Sequence, residues 1–89
     1  MRLDIFLKLS RLISRRSLAQ DFCNAGLISV NSSIAKSSKE IKLGDTIEIR
    51  RRNRITKIQI QSMPTKKQVS KEESATLFKV VSEEILVEI

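Results

Sequence analysis

Histidine, tryptophan and tyrosine are all missing from these 89 residues. Without histidine the chain lacks the commonest general base and the commonest metal ligand. With three phenylalanines as the only aromatics, a core has to be built from Ile, Leu and Val, and stacking on nucleic-acid bases falls to arginine. The single cysteine, Cys23, excludes an internal disulfide and fits a reducing, cytoplasmic setting. Two glycines are too few for a Gly-rich nucleotide loop. Neither a metal nor another cofactor is therefore expected. No apolar run reaches the roughly 20 residues of a membrane span, and Asp4, Lys8 and Arg11 break up the N-terminus too often for a signal peptide. No membrane association is expected.

What the chain has instead is positive charge, unevenly placed. Its net charge is +7, yet residues 1–63 hold 13 Lys/Arg against 5 Asp/Glu, while residues 64–89 hold 4 against 5. A localised basic field steers polyanions and gains affinity by releasing their counterions. At this length the chain makes one small domain, too short for a catalytic cleft beside a binding module.

Apolar spacing predicts the elements. Leu3, Phe6 and Leu7 mark a short helix over 3–9, with Asp4 and Lys8 at i, i+4. Ser14 fits an N-cap for a second helix over about 15–25, with Leu18, Ala19, Phe22 and Cys23 facing inward and Gly26 closing it. Residues 27–31 and 34–36 form a hairpin around a Ser-Ser turn, and 45–50 place Ile47 and Ile49 inward. In 55–61 the parity of Ile55 and Ile58 differs, which predicts a bulge near Lys57. Ser70–Glu73 reads as a capping box, and Leu77, Phe78, Val81 and Ile85 extend that helix at i, i+3/i+4 spacing. The fold class is α+β: two short N-terminal helices on a small, mostly antiparallel sheet, plus a C-terminal helix. Residues 1–63 form the domain with its strand extension; 64–89 form the last helix and tail, packed on it. The apolar 85–89 end either docks on the sheet or is an exposed tail.

Two short helices meeting at an angle would bring Arg2, Lys8 and Arg11 near Arg15 and Arg16. Cations at a helix start are disfavoured by about 0.3–1 kcal/mol each. An RNA phosphate placed there would meet free N–H groups and guanidinium forks, reversing the sign. A plain solvated helix end is the alternative. Ser10, Asn31 and Ser37 are candidate neutral donors, and Lys36 extends the edge from the hairpin. Asn31 serves equally well as a turn residue. Asp4 would orient a neighbouring cation or cap the first helix; with no histidine and no second carboxylate, catalysis by it is not expected. Cys23 reads as a small core residue. Arg50, Arg52 and Arg54 form a second basic run, either a further RNA face or a charged guard on an edge strand. Charge reversal at Arg2 or Arg16 should abolish RNA binding with little change in melting, and Leu18→Ala or Phe22→Ala should cost roughly 2–5 kcal/mol.

The ordered set Arg2-Leu3-Asp4, Phe6-Leu7, Ser10-Arg11, Arg15-Arg16, Ala19, Gly26, Val30-Asn31, Ala35-Lys36-Ser37 and Gly44-Asp45 resembles the alpha-L RNA-binding motif named for small-subunit ribosomal protein S-four. With the strands and the 65–84 segment that follow, the chain is similar to the family of the small bacterial ribosome-associated quality-control protein P, and more distantly to the heat-shock protein fifteen family. Ser32-Ser33 replaces the glycine-containing turn usual in that motif. The resemblance implies a non-enzymatic binder of large-subunit ribosomal RNA and peptidyl-transfer RNA on obstructed large ribosomal subunits. It implies support of alanine tailing beside a NEMF-type partner. A monomer in the cytoplasm is expected. The alternatives are a recycling factor of the heat-shock type, which a tail charge of −1 argues against, a general nucleic-acid-binding protein, and the binding module of a pseudouridine synthase, for which the catalytic domain has no room.

Overall fold

The computed structural model describes residues 1–86. Helices α1 (Leu3–Leu9) and α2 (Arg16–Asn24) come first, followed by strands β1 (Ile28–Val30), β2 (Ser33–Ile34), β3 (Thr46–Arg50) and β4 (Arg54–Ile60). A single-turn helix α3 (Lys71–Ala75) leads into strand β5 (Phe78–Ile85). All five strands join one antiparallel sheet in the order β2-β1-β3-β4-β5. One sheet face presents Ile28, Val30, Ile47, Ile49, Ile58 and Ile60, all buried, to Leu3, Phe6 and Leu7 of α1 and Ala19 and Cys23 of α2. Burial pushes the Cys23 thiol above its ordinary pKa, with the Asp4 charge adding to it.

Both long helices close by the same device. After α2 the chain turns left-handed at Gly26, φ 76°, whose N–H bonds the Cys23 carbonyl while Leu27 N–H reaches Phe22. That pairing satisfies the carbonyls a helix end leaves open. After α1 the left-handed position holds Arg11 at φ 62°, with its N–H on the Lys8 carbonyl. A side chain at a glycine position is strained, by roughly 1–2 kcal/mol.

Two expectations need correction. The N-cap of α2 is Arg15, not Ser14, and no side chain caps it. This register turns Ala19 and Cys23 inward, leaves Phe22 half-buried and leaves Leu18 39% exposed, so Leu18 is not a core residue. Strand β4 alternates regularly, with Thr56, Ile58 and Ile60 inward and Ile55, Lys57 and Gln59 outward. The irregularity expected near Lys57 is there, between Lys57 and Ile58: their partners are Ser82 and Val80, so the extra residue, Val81, is carried by β5.

The last helix is short. Ser70 does cap it, accepting from Glu73 N–H at 3.1 Å, but it stops at Ala75. There the hydroxyls of Ser74 and Thr76 donate to the Lys71 and Glu73 carbonyls, competing with a further helical turn. Leu77 is buried in the core, and from Phe78 the chain pairs with the whole length of β4. The pairing covers an edge that β4 would otherwise expose, and this outweighs a helical spacing in the apolar residues. Ile85 pairs with Arg54 and Leu86 N–H bonds the Asn53 carbonyl, so the described part of the apolar end joins the sheet through its backbone while the Ile85 and Leu86 side chains stay 64% and 37% exposed. Residues 87–89 of that end lie outside the described residues.

Candidate nucleic-acid interface

Asp4, in the first turn of α1, is fully buried. Its carboxylate accepts from Gln20 Nε2 at 2.9 Å, Arg16 Nε at 3.2 Å and Arg2 Nη2 at 3.3 Å. Burial alone would raise its pKa. The Gln20 and Arg16 hydrogen bonds and the charges of Arg16 and Arg2 outweigh that effect, holding the group below 3.8 and ionised. Arg2, the N-cap of α1, and Arg16, the first residue of α2, are thus fixed on one carboxylate. Both stay about half exposed, at 42% and 46%, so their outward nitrogens face solvent. Arg16 bonds Asp4 through Nε, which leaves its two terminal nitrogens out of that bond.

The rest of the edge is built around this pair. The segment after β2 wraps the start of α1, where the Ser37 and Lys39 carbonyls accept from Asp4 and Leu3 N–H. This brings exposed Lys36 and half-buried Ser37 to the same end. Lys8 is exposed in the last turn of α1. Arg11 donates through Nη2 to the Val69 carbonyl at 3.3 Å. Arg15 is exposed beside Arg16, at a helix start whose first-turn N–H groups have no side-chain cap.

Two of the predicted donors are engaged within the protein, Ser10 in the core and Asn31 at the surface. Ser10 is 3% exposed and its hydroxyl donates to the Leu7 carbonyl at 3.2 Å, so it serves the helix end and not a ligand. Asn31 is a turn residue, at φ 50° with Ser32 at φ 73°. Its amide donates to Asp45 and accepts from Thr46 N–H, so both ends are in use within the protein. Positive φ at both central positions is what a two-residue hairpin loop with the right-handed strand twist requires.

Nor does the second basic run make one face. Arg50 shares the outward face with Glu48, while Arg54 lies on the opposite face and pairs with Glu83 at 3.8 Å. Arg52 sits in the connection between them and is exposed. Arg51 turns back to the helices and donates to the Leu12 carbonyl at 2.8 Å. Burial, then the neighbouring Arg54, lower its pKa, and Glu83 opposes them.

Three residues at the site escaped the sequence reading. Gln20, one turn beyond Arg16 on α2, was detectable by its i+4 spacing. Lys66 and Lys67 lie against α1 although nearly sixty residues separate them from it; no local pattern reports that. Among the described residues there is no cluster of three His, Cys, Asp or Glu that would hold a metal, and no helix is long and apolar enough to cross a membrane.

Comparison with known proteins gives the family and the fold. The S4 domain model matches residues 1–47. An RQC P-site tRNA stabilizing factor from Halalkalibacterium halodurans is 45% identical over 84 residues, spanning 94% of this chain and 93% of that protein. The factor of the same name from Bacillus subtilis is 41% identical over 86 residues, 97% of this chain and 98% of its own. Among solved structures, the chain superposes on heat shock protein 15 from Vibrio cholerae with TM-score 0.81 at 26% identity, covering 92% of this chain and 82% of that one.

Proposed function

Because the chain belongs to the S4-domain family that includes these RQC P-site tRNA stabilizing factors, we propose that it is a non-enzymatic RNA-binding protein of ribosome-associated quality control. It holds transfer RNA on a large ribosomal subunit obstructed by an unfinished peptide. One observation carries this reading: the buried Asp4 carboxylate fixes Arg2 and Arg16 side by side while leaving both half exposed. Arg15, Lys8, Arg11 and Lys36 extend the cationic edge from there.

The mechanism follows from charge and shape. Phosphates lying along the edge meet guanidinium forks held at a set spacing, each able to grip two oxygens. The uncapped start of α2 adds N–H donors and the positive end of the helix dipole. Having no tyrosine or tryptophan, the edge reads backbone shape more than base sequence. A protein built this way bridges two folded RNAs, ribosomal RNA and peptidyl-transfer RNA, through their phosphates. It acts in the cytoplasm as a monomer and supports the alanine-tailing cycle of a NEMF-type partner. Recycling of the heat-shock type is a second reading, favoured by the structural superposition. The near-neutral stretch 64–89 speaks against it.

The double variant Lys8→Glu, Arg15→Glu tests the reading. Both residues are exposed and have no carboxylate partner among the described residues, so melting should not change. Co-sedimentation with large subunits should fall by more than about tenfold, and wild-type binding should weaken steeply with salt. Retention of the double variant on subunits would remove the edge from the mechanism. Equal competition by duplex DNA would instead make the chain a general nucleic-acid binder.

A further inference from the structure

A trough runs along α1 between that helix and the loop 64–69. It has two adjoining parts, of about 490 and 350 Å³, which share Lys8, Leu9 and Lys67. Its wall is apolar where Ile5, Leu9 and Pro64 line it, and its rim carries Lys8, Arg16, Lys66 and Lys67. No carboxylate lines either part, and among the described residues neither Lys66 nor Lys67 has an acidic partner. The loop is fixed in place: Arg11 donates to the Val69 carbonyl, and Met63 and Val69 pack against the core. Arg16 belongs both to this rim and to the Asp4 cluster, so the trough continues the edge already described. The loop lies outside the 1–47 match, so nothing in the S4 domain assigns it a ligand.

We propose that this trough takes one unpaired nucleotide of the bound RNA. Its base lies on Ile5, Leu9 and Pro64, and its phosphate lies between Lys66, Lys67 and Arg16. The volume falls in the range of about 300–1,000 Å³ typical of sites for small organic groups, too small for a duplex. An apolar wall under a cationic rim has both properties a nucleotide needs, since a base offers a flat apolar face and its phosphate an anion. An apolar peptide would match the wall but leave Lys8, Lys66 and Lys67 unanswered. The proposal rests on the RNA-binding reading, and gives that reading a preference for an extruded base.

The test uses the full chain and two RNA hairpins that differ only by a single bulged nucleotide. Wild type should bind the bulged hairpin about tenfold more tightly, and Lys66→Ala with Lys67→Ala should erase that difference while duplex binding through Arg2 and Arg16 persists. In that variant the salt slope for the bulged RNA should be shallower by about 1–1.5. Both lysines are exposed, and an unchanged melting curve verifies the fold. Equal binding of the two hairpins by wild type, or a preference that survives the double variant, overturns the trough and leaves the edge standing. Failure to bind either hairpin overturns the RNA-binding reading itself.

Discussion

In the helical edge and in the β3–β5 region, arginines have opposite fates. At the edge, Asp4 holds Arg2 and Arg16 from beneath, and the outer part of each side chain faces solvent. In the sheet, Arg54 pairs with Glu83 and Arg51 with the Leu12 carbonyl, and Arg50 faces away from both. Numbers of cations are similar in the two regions. What differs is the depth of the acid: the buried Asp4 fixes two arginines and leaves the outer part of each in solvent, whereas the surface Glu83 takes up Arg54.

The comparison breaks most readily at the core beneath the edge. Phe6→Ala should cost about 3–5 kcal/mol in urea unfolding, since Phe6 is fully enclosed. On the strand at the other end of the sheet, Val81 is bulged and 52% exposed, and Val81→Ala should change stability by less than about 0.5 kcal/mol. Leu18→Ala belongs with the small effects, at under about 1 kcal/mol. Comparable losses at Phe6 and Val81 would mean that β5 is as deeply packed as α1.

Charge reversal comes next. Arg16→Glu removes one support of a buried anion and places a second carboxylate beside it. Melting is therefore not preserved, contrary to the expectation from sequence. The cost should be about 2–3 kcal/mol, below that of a fully buried pair because Arg16 is half exposed. Arg54→Glu, at a surface pair, should cost under about 1 kcal/mol. Acid should sharpen the contrast. The folded pKa of Asp4 lies below its ordinary 3.8, so the unfolded chain takes up that proton first. The stability contributed by ionised Asp4 is complete well above 3.8 and is lost as pH falls through that value toward the folded pKa. Asp4→Asn should remove this part of the acid sensitivity in a pH series of melts.

In the hairpin a gain, not a loss, is expected. Ser32, at φ 73°, holds a conformation that suits glycine, so Ser32→Gly should raise stability by about 0.5–1 kcal/mol. A loss would show that the serine side chain supports the turn.

Much of this was legible from the chain. The first helix, the glycine that ends the second and the inward isoleucines of β3 follow from spacing over a few residues; the meeting of Arg16 with Asp4, 12 residues apart, depends on how the two helices pack. Ser10 and Asn31 were not decidable from the chain for another reason. A hydroxyl or amide reads the same in sequence whether its partner is a ligand or the backbone, and here burial and the turn decide. The 77–85 segment was misplaced because Leu77, Phe78, Val81 and Ile85 do fit a helix. Its pairing partner, Arg54–Ile60, lies some twenty residues upstream and leaves no local trace. Lys66 and Lys67 belong to the same class of non-local facts.

The Asp4 anchorage also bears on the entropy of recognition. A free arginine gives up about 1.5–2 kcal/mol of rotamer freedom when a ligand immobilises it. Arg2 and Arg16 have surrendered part of that freedom during folding, so docking a phosphate demands less ordering from them than from Arg15 or Lys8. Cutting the anchor without removing either arginine should therefore weaken RNA binding even where every positive charge is retained.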